Sequence, residues 1–152
     1  MNKEIEGVFY NQPKMSAADW EGIFRLSDAI SSSLWQRYIS PTNRHFMLLD
    51  NSEWPSKIVK DENFLYNWST DWNAQSPEDF QNILQGLVIP TDSEIFFFWM
   101  KELALKTTWQ IFCRNWMNFL YEDEGCILII PEQQKALVLS NGQAWFASIA
   151  KT

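Results

Sequence analysis

Histidine, glycine and cysteine are scarce in this sequence, and each scarcity excludes a class of site. A single histidine, His45, cannot supply a histidine dyad or two imidazole ligands to one metal ion. With only five glycines, the chain has none of the patterns that cradle phosphates, such as GxxxxGKS or GxGxxG. The GxSxG, HExxH and calcium-loop patterns are missing as well. The sequence therefore predicts no catalytic residue, no metal site and no cofactor.

The two cysteines, Cys113 and Cys126, lie in apolar surroundings without CxxC spacing. We expect two buried, reduced thiols rather than a disulfide framework or zinc ligands. A Cys–His pair would have to join His45 to one of them, and a reactive thiol needs partial exposure beside a cationic group. A structural histidine at the start of a strand is the interpretation we favour.

Long apolar runs are missing too: no stretch approaches the roughly 20 residues of a membrane helix. The N-terminal segment MNKEIEGVFYNQ carries charges among its first residues and lacks the apolar core of a signal peptide. We therefore expect a cytoplasmic protein without a membrane partner.

Nineteen acids against twelve Lys and Arg give a net charge of −7, which repels nucleic acid and favours a basic partner or none. A charge of this size also serves solubility.

Three segments carry helix signals. Ser16 precedes AADWEGIFRL, and its hydroxyl together with the Asp19 carboxylate should satisfy free backbone amides at a helix start. A second helix is expected over residues 28–37, which a Ser-Pro pair ends. In SPEDFQNILQG, Ser76 as cap, proline and acids in the first turn and a final glycine predict a third helix. Its inward side chains should be Phe80, Ile83, Leu84 and Leu87.

Apolar runs between turn residues predict the strands. Residues 45–50 (HFMLLD) and 95–100 (IFFFWM) have strand length, and the second is bulky throughout, as in a strand covered on both faces. The last runs are CILII, KALVLS and QAWFASI, with Asn141-Gly142 favouring a tight hairpin between the final two. We expect an α+β fold in a single globular domain, residues 1–152. It should contain an antiparallel or mixed sheet, a C-terminal strand meander and helices packed mostly on one face.

Two segments give weaker signals. Trp54-Pro55 favours extended backbone, and the residues that follow, up to residue 75, are predicted as a loop with a short helix. KELALK, which follows the strand at 95–100, should either extend that strand or begin a helix.

The stretch TTWQIFCRNWMNFLYEDEG, residues 107–125, contains an aromatic stripe. If Thr107 or Thr108 caps a helix, its large apolar residues recur at intervals of three and four and form one face. A helix must bury such a face, so we interpret the stripe as core. Gln110, Arg114 and Asn118 should lie on the opposite face. The stripe consists of Trp109, Phe112, Cys113, Trp116, Phe119 and Leu120.

Two groups of residues are candidates for contact with a partner. Aromatic rings among polar neighbours in NFLYNWSTDWNAQ suit recognition, and tryptophan and tyrosine dominate interface hot spots. The alternative for these rings is a lid that folds down on the core. The aromatic group comprises Tyr66, Trp68, Asp71 and Trp72, with Trp54 beside it. The acidic group, which could receive a basic partner or simply form a solvated turn, comprises Asp92, Glu94, Glu122, Asp123 and Glu124.

The segment IFFFWMKELALKTTWQIFCRNWMNFLYEDEGCILIIP shows the order TxW…F…W..FLY..DeG before an apolar strand. In this order it resembles a family of short bacterial proteins catalogued as a domain of unknown function, which implies no active residue or cofactor. The chain is also similar to immunity proteins of bacterial toxin systems, many of which are small, acidic and Trp-rich and end in a helix followed by a strand meander. That second resemblance implies a protein partner.

Together these features predict a non-enzymatic acidic binding protein with a basic protein partner, and the second resemblance implies an immunity-type inhibitor of a bacterial toxin. One alternative is a small-ligand binder or enzyme, for example on a carbohydrate, with carboxylates and tryptophan in a cleft. A deep pocket holding two carboxylates and an exposed tryptophan would favour it. Another alternative is a homodimer with Trp68 and Trp72 at its interface.

Overall fold

The structure of the protein is a computed structural model that describes residues 15–40, 54–74, 76–120 and 125–149. For Trp54 it describes the backbone, and the side chain falls outside the description. Some predicted features lie outside the described residues: the strand at 45–50 with His45, and the acids Glu122, Asp123 and Glu124.

The described residues form the predicted α+β fold. Its α-helices are α1 (Ala17–Glu21), α2 (Asp28–Tyr38), α3 (Trp54–Ile58), α4 (Ser69–Ala74), α5 (Glu78–Gln85), α6 (Trp109–Arg114) and α7 (Trp116–Phe119). Its strands are β1 (Phe24–Arg25), β2 (Phe64–Asn67), β3 (Glu94–Met100), β4 (Leu103–Thr108), β5 (Cys126–Ile130), β6 (Lys135–Ser140) and β7 (Gln143–Ser148). Two 3₁₀ turns precede β2 and β6, at Asp61–Asn63 and Pro131–Gln133.

All strands join one sheet in the order β1-β4-β3-β5-β6-β7-β2. Every pair is antiparallel, so the sheet is antiparallel rather than mixed. The C-terminal meander of β5, β6 and β7 is confirmed, and its last turn has positive φ at Asn141 (53°) and Gly142 (77°). Both residues adopt the left-handed conformation that a tight hairpin requires.

The sheet buries both of its faces, because strand side chains alternate between them. On one face, Phe97 of β3 belongs to the main core, to which α1, α5, α6 and α7 contribute buried residues and α4 contributes Trp72. On the other face, Phe98 packs with Trp35 of α2. Ile58 of α3 packs on that same face farther along the sheet. Helices therefore lie mostly on one face, as predicted, and β3 is covered on both sides.

The aromatic stripe is core. All six of its residues are buried, and Trp109, Phe112 and Phe119 join a chain of ring contacts in the main core. Thr108 caps α6, since its hydroxyl accepts a hydrogen bond from the backbone N–H of Ile111 at 3.3 Å. The helix then breaks at Asn115, and this break turns Asn118 inward to 1% exposure, so its predicted outward position is wrong.

Other local predictions hold in part. Ser16 caps α1, but the Asp19 carboxylate binds side chains of α6 and its C-cap rather than backbone amides. Trp54-Pro55 starts helix α3, which corrects the expected extended backbone because proline is well suited to a first helical turn. KELALK neither extends β3 nor starts a helix, since after a two-residue turn it forms the separate strand β4. The strand β2 was not predicted.

Among the described residues, no helix is long and apolar enough to cross a lipid bilayer.

Candidate functional site

The polar group at the start of the candidate aromatic segment is a structural junction. Tyr66 on β2 donates its hydroxyl hydrogen to one carboxylate oxygen of Asp71 at 2.9 Å. The other oxygen of Asp71 accepts the backbone N–H of Phe80 at 2.9 Å. Burial raises the pKa of Tyr66 to about 12, with a further contribution from Asp71. Asp71 is 5% exposed, so both of its oxygens serve contacts inside the protein.

The helix α5 therefore takes its N-terminal cap from α4. Ser76, the predicted cap, instead donates its hydroxyl to the Glu78 carboxylate at 2.8 Å. An Asp side chain that accepts an amide in the first turn of a helix satisfies a donor that the helix itself leaves free. Asp71 thus fixes where α5 starts relative to α4.

The tryptophans of this segment belong to the core. Trp68 is fully buried, and its indole N–H donates to the backbone carbonyl of Gln143 at 3.1 Å. Its ring meets those of Trp72 and Trp116 edge-on at 6.2 Å and 6.1 Å. Trp72 is partly buried against the same core. Both rings pack against the core, as the lid alternative expects. A fully buried Trp68 cannot contact a partner in this conformation.

The acidic residues of the chain are unevenly distributed. Residues 61–100 contain seven acids and neither a Lys, an Arg nor a His. One of the seven, Asp71, is the buried capping residue. The other six are exposed: Asp61, Glu62, Glu78, Asp79, Asp92 and Glu94. We call residues 61–100 the acidic stretch.

The acidic stretch crosses the helical face of the molecule. At one end of α5, Phe80 stacks on Tyr66 of the edge strand β2, with ring centroids 5.5 Å apart. At the other end, the chain leads from α5 into β3, an inner strand of the sheet. The exposed positions Asn82 and Gln85 of α5 are uncharged. The negative charge of this region therefore lies in the first turn of α5, on Glu78 and Asp79, and in the loop after the helix, on Asp92.

The segment between α5 and β3, residues 87–93, is a loop held at several points. Its neighbouring side chains Leu87 and Ile89 pack against the main core. The backbone carbonyl of Thr91 accepts the N–H of Gln110 at 3.0 Å, and that of Ser93 accepts the N–H of Trp109 at 2.9 Å. These contacts tie the 87–93 loop to the first turn of α6.

The 87–93 loop displays Val88. This side chain is 97% exposed, whereas Ile30, the next most exposed large apolar residue of the described part, is 54% exposed. Asp92 follows on the same loop and Glu94 opens β3, both of them exposed. Of the predicted partner-binding residues whose side chains are described, Asp92 and Glu94 are the exposed ones.

A second buried carboxylate, Asp19, binds α6. The guanidinium of Arg114 donates to both of its oxygens, at 3.1 Å from Nε and in a shorter contact from Nη2. The Asn115 side chain donates a further hydrogen bond at 2.9 Å. The hydrogen bond from Arg114 lowers the pKa of Asp19 despite its burial. The contact between Asp19 and Arg114 holds α1 on α6. Arg114 is the single cation of α6, and it is paired with Asp19.

One cavity among the described residues is open to solvent. An open cavity of about 330 Å³ is lined by Arg25, Leu26, Ser27 and Asp28, with a single carboxylate and no tryptophan. No group of three potential metal ligands occurs among the described residues. Cys113 and Cys126 are buried free thiols, as expected, and burial raises the pKa of Cys113 to about 12.

Two features of this surface can be predicted from the sequence, although neither is among the predictions above. The absence of cations from residues 61–100 can be read directly from the chain. In Leu87-Val88-Ile89, a strand-like alternation would place the outer two residues inward and Val88 outward. The Asp19–Arg114 contact had no sequence signal, since it joins residues 95 positions apart.

Comparison with known proteins gives one match. The family described as "Protein of unknown function (DUF2947)" matches residues 4–146, which is most of the chain. No curated protein and no solved structure matches it.

Proposed function

This chain belongs to the DUF2947 family, and we propose that it is a non-enzymatic acidic protein that binds a basic protein partner. The contact surface in this proposal is the outer side of α5 with the 87–93 loop. The candidate Asp92 belongs to it. Glu94 does not, because strand alternation places its side chain on the same face as Phe96 and Phe98, which pack toward α2, and Trp68 is buried.

The observation that carries the proposal is the distribution of charge along the acidic stretch. Six exposed carboxylates lie within forty consecutive residues that contain no Lys, Arg or His. Three of them, Glu78, Asp79 and Asp92, belong to α5 and the loop after it. They contribute to the overall charge of −7, and a surface with acids of one sign attracts positively charged partners.

Such a surface favours association with a basic protein by two physical effects. The long-range field raises the rate of encounter with a positively charged partner, and it does so most strongly at low salt. The affinity of the final complex depends on a few desolvated contacts, which charge alone does not supply. The proposal therefore predicts binding that weakens as the ionic strength increases.

For the identity of the partner, we propose a toxin encoded beside this chain, which would make the protein an immunity-type inhibitor. The acidic charge, the many tryptophans and the helix followed by a strand meander support this assignment, because they resemble features of immunity proteins. An inhibitor of this kind needs no catalytic group of its own, because it works by covering a basic functional surface of the toxin.

Affinity capture tests the proposal. The immobilised protein is incubated with extract of its own cells at low ionic strength, and bound proteins are eluted with increasing salt. Two double variants, each lowering the charge from −7 to −5, serve as test and matched control. The test variant is Asp79→Asn with Asp92→Asn, which changes exposed acids of α5 and the 87–93 loop, and the control is Asp28→Asn with Glu132→Gln, which changes exposed acids outside the acidic stretch.

We expect a basic protein that elutes with salt and that the test variant retains less well than the control. Co-expression with the product of the neighbouring gene should then restore growth if that product is toxic. Retention of no basic protein, or equal retention by both double variants, would contradict the proposed surface.

A further inference from the structure

We propose that Val88 is the apolar anchor of this contact and inserts into an apolar socket, rimmed by Lys or Arg, on the basic partner protein. This inference rests on the proposed function and specifies the contact that would give the complex its affinity.

The exposure of Val88 is unusual for its side-chain type. Single apolar residues on a surface are common, but the other exposed large apolar residues of the described part are covered by about half or more. Val88, at 97% exposure, has almost no contact with the rest of the protein. Its side chain therefore contributes little to the stability of the fold and is available to a partner.

The backbone around Val88 is fixed. Leu87 and Ile89 on either side are packed against the main core. Within the loop, the N–H of Ile89 donates to the carbonyl of Leu87 at 2.8 Å, and the N–H of Ser93 donates to that of Pro90 at 3.0 Å. The hydrogen bonds from Gln110 and Trp109 hold the far end of the loop on α6.

A fixed loop lowers the entropic cost of binding. A mobile loop must be ordered when it meets a partner, and this cost reduces affinity, whereas a preorganised loop avoids most of it. Valine adds to this advantage because its branched Cβ restricts χ1, so little side-chain freedom is lost in the complex. The 87–93 loop is therefore preorganised for binding.

The negative charge of the 87–93 loop indicates the chemistry of the partner. Asp92 is exposed on the same loop as Val88. The loop also follows the C-terminus of α5, where the helix dipole places partial negative charge. An apolar socket that is rimmed by acids would be repelled, whereas one rimmed by Lys or Arg complements both features.

A phage-displayed library of random peptides provides a defined probe for this contact. Phage are selected on the immobilised full chain at low ionic strength, and the affinities of the enriched peptides are measured for wild type and two variants. Val88→Ser removes the proposed anchor. Ile30→Ser, the control, truncates the next most exposed apolar side chain, which lies on α2. Both side chains are exposed, so thermal melting should show that both variants fold.

We expect enriched peptides in which an apolar residue is flanked by Lys or Arg. Val88→Ser should weaken them about tenfold, the loss expected when one valine contact is removed, and Ile30→Ser should leave the affinity unchanged. Basic peptides that bind wild type and Val88→Ser equally would overturn the role of Val88 and leave the proposed function standing. Failure to enrich any basic peptide would overturn both.

Discussion

The carboxylate of Asp71 accepts a hydrogen bond from the backbone N–H of Phe80 at 2.9 Å, so that a side chain of α4 caps helix α5. The same carboxylate binds the hydroxyl of Tyr66 on the edge strand β2. One buried acid therefore joins three elements and determines how α5, the helix of the proposed contact surface, is placed on the sheet.

Replacement of Asp71 should destabilise the protein. In Asp71→Ala the hydroxyl of Tyr66 and the backbone N–H of Phe80 both lose their acceptor. A buried donor without an acceptor costs about 1–3 kcal/mol, and urea denaturation should show a loss of this size in the free energy of unfolding. Asp92→Ala serves as control, because Asp92 is exposed, and it should change stability by less than about 0.5 kcal/mol. Equal stability of the two variants would show that Asp71 does not cap α5.

The contact between Asp19 and Arg114 should make stability depend on pH. Because the hydrogen bond from Arg114 lowers the folded-state pKa of Asp19 below its ordinary value of 3.8, the ionised carboxylate stabilises the folded state. This contribution is complete above that ordinary value and is lost as the pH falls through the lower, folded-state pKa. Asp19→Asn should therefore cost about 1–2 kcal/mol at neutral pH, a modest figure because Arg114 is 39% exposed.

Unfolding of wild type and Asp19→Asn at a series of pH values measures this difference. The two curves should be separated near neutrality and converge below pH 3.8. A difference that stays constant through the acid range would mean that the ionised form of Asp19 is not what Arg114 stabilises.

Both thiols should be unreactive in the folded protein. Burial raises the pKa of Cys113 to about 12, and a thiol reacts through its thiolate, so almost none of the reactive form is present at pH 8. Cys126 is 1% exposed. A disulfide reagent such as DTNB should therefore detect no fast-reacting thiol in native protein and two in guanidinium chloride. One rapid equivalent under native conditions would place a cysteine at the surface.

The last hairpin should tolerate little change at Gly142. Its φ of +77° is strained for other residues, and an added Cβ would lie 2.5 Å from the Cβ of Ser69. We expect Gly142→Ala to cost about 1–3 kcal/mol for the strained backbone alone. Gly86→Ala is a suitable comparison, because its nearest contacts would be at 3.4 Å, an ordinary separation. Thermal denaturation of the two variants should differ clearly, and similar melting temperatures would contradict the geometry of the turn.

Local patterns predicted those parts of the fold that depend on neighbouring residues. The aromatic stripe, the β5–β7 meander and the Asn141-Gly142 turn follow from residue spacing and from the few conformations that such pairs favour. The prediction for Asn118 is wrong because the stripe forms two helices, α6 and α7, rather than one. A break at Asn115 changes the direction of every later side chain, and the sequence gives no proline or glycine to mark it.

Contacts between distant residues limited the prediction of the candidate surface. Polar neighbours made Trp68 a candidate for contact with a partner, but its N–H donates to the carbonyl of Gln143, 75 residues away, and the ring is buried. Asp71 likewise looked available for a partner, and its two hydrogen bonds inside the protein depend on how α4, α5 and β2 pack together. In contrast, the exposure of Asp92 and Glu94 can be predicted from their charged side chains and polar neighbours alone.

Hydrogen exchange of the captured complex tests the central proposal most directly. Amide exchange is compared between the free protein and the protein bound to its basic partner, peptide by peptide along the chain. We expect slower exchange in residues 78–94, which include α5 and the 87–93 loop, and unchanged exchange in α2. Protection confined to α2 and α3, on the opposite face of the sheet, would contradict the assignment of the acidic stretch as the contact surface.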